Sequence, residues 1–206
     1  MGEQLKIYNH LYEPIGVALR DEVHQQGYWH EVFQCWVIEK VGNEWRIYLQ
    51  LRSQTKKDYP GQFDITAAGH LLANEKVEDG IREMQEELGI TAEFSQLTSL
   101  GIIPYVIDND TIKDYEFAHV FLYELSGGLD AFTIQIDELD GIYYTKLEDF
   151  IRLAKKELEM LEVHGYYYDH LMKVNHAKNI SLKDMSSLPA QYLNELVLRL
   201  RRKMEK

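Results

Sequence analysis

The sequence predicts an α+β fold in which a mixed sheet is followed by a C-terminal helical extension. Short runs of β-branched and aromatic residues, separated by turn residues, extend from Ile15 to about Tyr144, a pattern typical of strands. From Lys146 onward the apolar residues recur with the 3.6-residue period of helices. We therefore expect a domain over residues 1–146, with an N-terminal strand region, and a helical extension over 147–206 packed on the same domain.

The individual elements can be placed in order along the chain. Residues 32–41 and 45–51 are apolar runs around Val-Gly-Asn-Glu, which predicts a hairpin. Further strands are predicted at 61–66, 94–106, 116–125 and 142–145, and a helix at 76–88. Three later helices are predicted at about 147–160, 164–175 and 189–204, the last beginning with Leu-Pro-Ala, as helices often do.

Acidic residues outnumber basic ones, with 34 Asp and Glu against 22 Lys and Arg and a formal net charge of −12. This charge repels polyanions, so we do not expect nucleic-acid binding, and an anionic substrate would need a cation as an intermediary. The only cysteine is Cys35, which excludes a disulfide framework and a cysteine-based zinc site. Because no stretch approaches the ~20 apolar residues of a membrane span, we expect a cytoplasmic protein.

The helix at 76–88 places Glu83, Glu86 and Glu87 on one face, at spacings i, i+3 and i+4. Such carboxylates repel one another, and a divalent cation such as Mg²⁺ or Mn²⁺ would relieve the repulsion. Arg82 could orient a neighbouring carboxylate through a bidentate hydrogen bond. The alternative is an ordinary solvated acidic face. The apolar side chains lie on a face roughly 140° away: Val77, Ile81, Met84 and Leu88.

Gly69, Glu75 and the run Arg82-Glu-Met-Gln-Glu-Glu-Leu-Gly-Ile90 resemble the box of the Nudix hydrolases. That box reads Gly, five residues, Glu, seven residues, then Arg-Glu-apolar-x-Glu-Glu-x-Gly-apolar. Every specified position from Arg82 onward matches, and the chance of such a match is about 1 in 10⁵. Only six residues separate Glu75 from Arg82, one fewer than in the pattern, which leaves the role of Glu75 open. The resemblance implies a Nudix-type α/β/α sandwich.

A wider resemblance covers roughly residues 20–145 and points to the branch that includes type I isopentenyl-diphosphate isomerases. The isomerases place a catalytic Cys immediately before a Gly-His pair, where this chain has Ala68, and Cys35 lies in an apolar strand. The resemblance therefore implies hydrolysis of a small organic diphosphate, such as a nucleoside diphosphate linked to another group. A non-catalytic ligand-sensing module and an isomerase are the alternatives. The similar segments are Glu22-Val23-His24, Gly27, His30, Arg52-Ser53, Lys56-Lys57, Tyr59-Pro60-Gly61 and Ala67-Ala68-Gly69-His70.

The resemblance also implies roles for individual residues. Arg52 and Lys56 are similar to positions that bind the diphosphate, with solvated surface charge as the alternative. His70 itself could contact phosphate or metal, or it could be a hydrogen-bonded structural residue beside a glycine turn. The candidates for metal binding are Glu83, Glu86, Glu87 and the backbone carbonyl of Gly69, with Mg²⁺ or Mn²⁺ as the ion. The candidates for catalysis are Arg82, Glu86, Glu87 and Glu116.

Glu116 is a candidate for a further metal ligand or general base because of its neighbours in the sequence. Asp114 and Glu116 alternate at the start of a predicted strand and so share one face. Because the helix supplies carboxylates from one side only, a further ligand or general base has to come from another element. Glu116 is the preferred candidate, and an ordinary exposed glutamate is the alternative.

Other polar and aromatic residues are predicted to be structural. His24 and His30 could suggest a metal pair, but the sequence offers no third ligand at a fixed spacing. The tyrosines at 166–168 and Tyr192 are expected to pack rather than to bind a substrate. The C-terminal helices could form a homodimer surface or a lid that selects the substrate.

Overall fold

The computed structural model describes residues 2–109, 112–186 and 188–204. The strands in these residues form one mixed sheet. The helices are α1 (Arg20–Gln26), α2 (Arg82–Leu88), α3 (Leu147–Ala154) and α4 (Ala190–Met204). The strands are β1 (Gln4–Tyr8), β2 (Pro14–Leu19), β3 (Trp29–Val41), β4 (Glu44–Arg52), β5 (Phe63–Ile65), β6 (Ala67–His70), β7 (Thr98–Asp108), β8 (Lys113–Glu124), β9 (Leu139–Lys146), β10 (Leu161–Asp169) and β11 (Met172–Ile180).

Strand β3 is the centre of the sheet. The main path runs β11-β10-β9-β4-β3-β1-β2, while β5 pairs with β4, β6 with β3, and β8 with both β3 and β7. The predicted β3–β4 hairpin is confirmed, with Ile38 opposite Ile47 and Val41 opposite Glu44. Strand β8 runs parallel to β3 and β6 runs antiparallel to it. The start of β8 and the whole of β6 therefore lie beside the first half of β3.

The sheet separates two layers of helices, because alternate side chains of β3 point to opposite faces. One face packs against α3 and α4, and the other packs against α2. The first core includes Val32, Trp36 and Ile38 of β3 with Phe150, Ile151, Leu193 and Leu196 of the two helices. The second includes Phe33, Cys35 and Val37 with Met84 and Leu88 of α2. The predicted α/β/α sandwich is confirmed.

The predicted helix at 76–88 consists of two parts. A 3₁₀ segment, Val77–Ile81, leads directly into α2. Gly80 lies so close to the sheet that a Cβ there would be 2.6 Å from the Cβ of Phe33. The missing side chain allows this segment to rest on the sheet, and Gly89 ends α2 in the left-handed conformation, with φ 69°.

The helix predicted at 164–175 is wrong, because these residues belong to the β10–β11 hairpin. Asp169 pairs with Met172 across a two-residue turn, and β10 continues the sheet by pairing with β9. The tyrosines at 166–168 lie within β10, and aromatic residues favour strands. Residues 147–206 therefore hold a hairpin as well as helices α3 and α4.

Other boundaries differ more modestly from the predictions. Helix α3 ends at Ala154 rather than at about 160, and α4 matches the helix predicted at 189–204. The seven-residue α1 was not predicted. The division into 1–146 and 147–206 stays a prediction. None of the helices in the described part of the chain is long and apolar enough to cross a membrane.

Candidate active site

A cavity of about 880 Å³ brings together residues from distant parts of the chain. Strands β4, β6 and β8, helix α2 and the loop after β4 all contribute to its wall. Every residue proposed from the sequence for catalysis, metal binding or substrate binding lines it: Arg52, Lys56, Gly69, His70, Arg82, Glu83, Glu86, Glu87 and Glu116.

Two of the three box glutamates are buried where α2 meets β6. Glu83 and Glu87 are buried, whereas Glu86 is exposed. The Glu83 carboxylate lies directly against Gly69, so that a Cβ at this position would overlap its Oε1. The backbone N–H of Ala68 donates a hydrogen bond of 3.2 Å to Oε2 of Glu87. Strand β6 therefore forms a narrow cradle for the α2 carboxylates.

Burial changes the protonation of these carboxylates. Burial, and then repulsion from Glu83, raise the pKa of Glu87 to about 8. Burial also raises the pKa of Glu83, against the attraction of Arg82. Two buried carboxylates are costly to ionise together unless a cation accompanies them. Their oxygens fit the preference of Mg²⁺ or Mn²⁺ for carboxylate ligands.

Arg82 holds the acidic residues in place. Its Nε and Nη2 donate to the two carboxylate oxygens of Glu75, at 2.7 and 3.2 Å. Nη1 donates to Glu83 at 2.5 Å and to Glu86 at 3.0 Å, and Nη2 also donates to the His70 carbonyl at 3.0 Å. The shortened spacing between Glu75 and Arg82 still permits a bidentate pair. Glu75, whose role the sequence left open, thus anchors Arg82.

A second group of possible metal ligands lies beside the same cavity, which three of its four members line. Within the described residues, His24, His30, His70 and Asp114 each offer a ligand atom, and these atoms lie within 4.8 Å of one another. The Nε2 atoms of His24 and His70 are 3.3 Å apart, and Asp114 Oδ1 lies 3.3 Å from His24 Nε2. His30 Nε2 and Asp114 Oδ1 are both buried and lie 3.5 Å apart. Three imidazoles and one carboxylate suit a transition-metal ion.

The electrostatics of the histidine cluster agree with this interpretation. Burial lowers the pKa of His30 and lowers that of His70 further, which favours the neutral imidazole that binds metals. Burial acts to raise the pKa of Asp114, but the hydrogen bond from His24 and the neighbouring histidines outweigh it and lower the pKa to about 2. The structural role of His24 and His30 stays a prediction, and strands β6 and β8 bring His70 and Asp114 to the same point as this pair.

Glu116 lies opposite His30 in the parallel pairing of β3 with β8. It is buried and accepts a hydrogen bond from the Tyr105 hydroxyl on β7. Burial, and then the charge of Asp114, raise its pKa well above the ordinary value. Glu116 and Asp114 share the cavity wall, as their alternation predicts. Glu116 is therefore not an ordinary exposed glutamate.

Two cationic side chains line the cavity at the end of β4 and in the loop that follows it. Arg52 donates to the Asp58 carbonyl at 2.8 and 3.1 Å and to the Asp64 carboxylate at 3.2 Å. Lys56 forms an ion pair with Glu138. Burial, and then the charge of Arg52, lower the pKa of Lys56. Anionic phosphate oxygens entering the cavity would offset the repulsion between these two cations.

The thiol chemistry of an isomerase is absent from the cavity. Ala68 occupies the position beside Gly69 and His70, and Cys35 is fully buried in the core with Phe33. Burial raises the pKa of the Cys35 thiol above its ordinary value. Cys35 is thus a small apolar core residue, as its sequence context predicts.

The sheet lies between two helical layers, and Arg82 anchors an acidic helix on the same cavity as the cations Arg52 and Lys56. A family model of the NUDIX domain matches residues 29–167, and the chain belongs to the Nudix hydrolase family. It is 34% identical over 164 residues to an uncharacterized Nudix hydrolase of Clostridium acetobutylicum, covering 80% of each chain.

Two further comparisons agree with this assignment. The chain is 31% identical to isopentenyl-diphosphate Delta-isomerase 2 of Photorhabdus laumondii, over 59% of this chain and 67% of the isomerase. The crystal structure of DR0079 from Deinococcus radiodurans has the same fold, with a TM-score of 0.54 and 20% sequence identity over 75% of this chain and 89% of that one. The chain thus resembles both hydrolases and isomerases that share one fold. The residues of the site are therefore needed to decide between the two activities.

Proposed function

We propose that the protein hydrolyses a small organic diphosphate with the help of Mg²⁺ or Mn²⁺. One observation carries this proposal: a single cavity is lined by the α2 carboxylates, by Glu116, and by the cations Arg52 and Lys56. A diphosphate needs cations to neutralise its charge and a base to activate the attacking water. The buried carboxylates Glu83 and Glu87 also disfavour a non-catalytic sensing module, which has no chemical need for a costly cluster of like charges.

In this mechanism Glu83, Glu86, Glu87 and the Gly69 carbonyl would hold the cation, which would neutralise phosphate charge. Arg82 and Glu75 keep the carboxylates oriented. Arg52 and Lys56, which line the same cavity, would bind the phosphate oxygens.

Glu116 removes a proton from the water that attacks one phosphorus atom. The bond between that phosphorus and the bridging oxygen breaks, and the oxygen keeps the electron pair. Because Glu116 is buried beside Asp114, it must be ionised to serve as a base, and a cation held by His24, His30, His70 and Asp114 would favour that form.

Metal removal tests the proposal directly. With excess chelator we expect no turnover, and added Mg²⁺ or Mn²⁺ should restore it, because the α2 carboxylates alone cannot neutralise a diphosphate. The measurement is a screen of nucleoside diphosphates, nucleotide sugars, thiamine diphosphate and dinucleotides, scored by released phosphate and product mass. Undiminished hydrolysis in excess chelator would show that the α2 carboxylates hold no metal ion that the reaction needs.

Incubation with isopentenyl diphosphate is expected to give no allylic isomer. Isomerisation needs a group that exchanges protons with carbon, and the methyl group of Ala68 replaces the thiol at the position that the isomerases use. Product formation can be followed by proton NMR, with an active isopentenyl-diphosphate isomerase as the positive control. Conversion by the purified chain would reverse the choice between hydrolysis and isomerisation.

A further inference from the structure

A continuous chain of hydrogen bonds leads from the core beneath α4 to Glu116. The Trp36 indole N–H donates to the Tyr192 hydroxyl at 3.1 Å, and that hydroxyl donates to Oε1 of Gln34 at 2.6 Å. The Gln34 amide N–H donates to the Tyr105 hydroxyl at 3.1 Å, and Tyr105 donates to Oε2 of Glu116. All five side chains are buried.

The direction of this chain is fixed by chemistry at its Trp36 end. An indole N–H can only donate, so the Tyr192 oxygen must accept from Trp36 and its proton must point elsewhere. Gln34 receives that proton at its carbonyl oxygen, which turns its amide N–H towards Tyr105. The Tyr105 oxygen accepts from that amide, so its own proton is directed at Oε2 of Glu116.

Helix α4 contributes Tyr192 to this chain and is also tied to the strand that carries Tyr105. Arg199 Nη1 donates to the Leu100 and Ile102 carbonyls of β7, at 2.8 and 3.0 Å. The Tyr105 and Tyr192 rings are in edge contact, with centroids 5.1 Å apart. Neither Tyr192 nor Trp36 lines the cavity. Both can influence the reaction only through the residues between them and Glu116.

We propose that Tyr192 is a positioning residue, through which α4 sets the orientation of the Glu116 carboxylate by way of Gln34 and Tyr105. This inference rests on the proposed role of Glu116 as the base. The alternative is that these hydrogen bonds have no catalytic role and only satisfy buried polar groups, as is normal in protein interiors. The two roles predict different effects on kcat. Loss of a purely structural hydrogen bond lowers stability alone, whereas loss of a positioning contact also lowers kcat.

The test is Tyr192→Phe, which removes one hydroxyl and keeps the ring against Tyr105. We expect kcat to fall about tenfold with KM unchanged, because the loss of one hydrogen bond in the chain corresponds to about this factor and disturbs the position of the base without touching the substrate. The matched control is Tyr143→Phe, which removes the hydroxyl of another buried tyrosine. This hydroxyl makes a part-buried contact with His176 at 3.2 Å and lies outside the chain. The control should lose stability but keep kcat.

A double variant separates positioning from a general loss of fold. In the Glu116→Gln background, Tyr192→Phe should cause no further decrease in kcat, because there is no longer a carboxylate to position. Gln34→Leu breaks the same chain nearer to Glu116 and replaces Tyr192→Phe if that variant does not fold. The decrease in kcat caused by Gln34→Leu should likewise disappear in the Glu116→Gln background.

The outcomes that overturn the inference are distinct from those that overturn the proposed function. A normal kcat for Tyr192→Phe, or an equal loss in the Tyr143→Phe control, overturns the inference alone. So does a tenfold loss that persists in the Glu116→Gln background. A kinetically silent Glu116→Gln overturns the role of Glu116 as the base and the positioning inference together.

Discussion

Replacement of Glu87 by Gln is expected to lower turnover by at least ~10²-fold while the protein stays folded. Glutamine keeps the shape of the side chain and can still accept the Ala68 N–H, but it lacks the charge that binds a cation. The comparison is kcat for wild type and Glu87→Gln at saturating Mg²⁺, with the best substrate from the screen. The matched control is Glu78→Gln, an exposed glutamate in the preceding 3₁₀ segment, which should keep the wild-type rate.

The same substitution should stabilise the metal-free protein at neutral pH. In the folded state the pKa of Glu87 is about 8 against an ordinary value of 4.5, so folding favours its protonated form. As pH rises from about 4.5 to 8, wild type loses stability relative to Glu87→Gln, and below that range the difference disappears. Thermal unfolding in chelator across this range measures the effect. Two results would contradict the role of Glu87 as a buried metal-binding carboxylate. One is a Glu87→Gln variant with near wild-type turnover, and the other is a Glu87→Gln variant that is less stable than wild type at pH 8.

For Glu116→Gln we expect a loss of kcat of about 10²- to 10⁴-fold with little change in KM, the contribution typical of a general base. Glutamine can still accept the Tyr105 hydroxyl, but it cannot take a proton from water. Steady-state kinetics on the metal-loaded protein separate kcat from KM. Glu124→Gln, an exposed glutamate at the end of the same strand, is the control and should be neutral.

A metal-bound structure gives an independent check on Glu116. We expect its carboxylate within direct or one-water reach of a bound ion. A separation of more than about 8 Å from every ion, beyond two hydrogen-bond lengths, would exclude the role. Glu86 or Glu87 would then be the remaining candidates for the base.

The parts of the fold and site that depend on local pattern could be predicted from the sequence. The β3–β4 hairpin follows from two apolar runs around a short turn, and the shared face of Glu83, Glu86 and Glu87 follows from helical spacing alone. Glu116 was found because alternation along a strand fixes which side chains share a face. Each of these inferences uses residues within a few positions of one another.

The histidine cluster could not be predicted in this way, because its members meet only in the folded chain. His24 and His30 are close in sequence, but His70 arrives on β6 and Asp114 on β8. Their meeting depends on which strands lie beside β3, and no local spacing encodes that order. A pair of histidines without a third ligand has no specific meaning in a sequence.

The β10–β11 hairpin was missed for a different reason, which is the chemistry of its turn. His170 and Leu171 both adopt positive φ, 46° and 68°, as a two-residue hairpin turn of type I′ requires. Such turns usually contain Asn-Gly or Asp-Gly, because side chains disfavour this conformation. With neither glycine nor asparagine present, the sequence carries no turn signal and the segment resembles a helix.

The parallel pairing of β3 with β8 has a consequence for the order of folding. Glu31 and His119, which are in contact across these strands, lie 88 positions apart in the chain. Contacts over such separations form slowly, because the entropy of closing a long loop is lost before any contact compensates for it. Since His30 and Asp114 lie at the same junction, their ligand atoms converge only after the two strands have joined. A metal ion held by the histidine cluster would therefore be captured late in folding, because the unfolded chain offers the ion no preformed site.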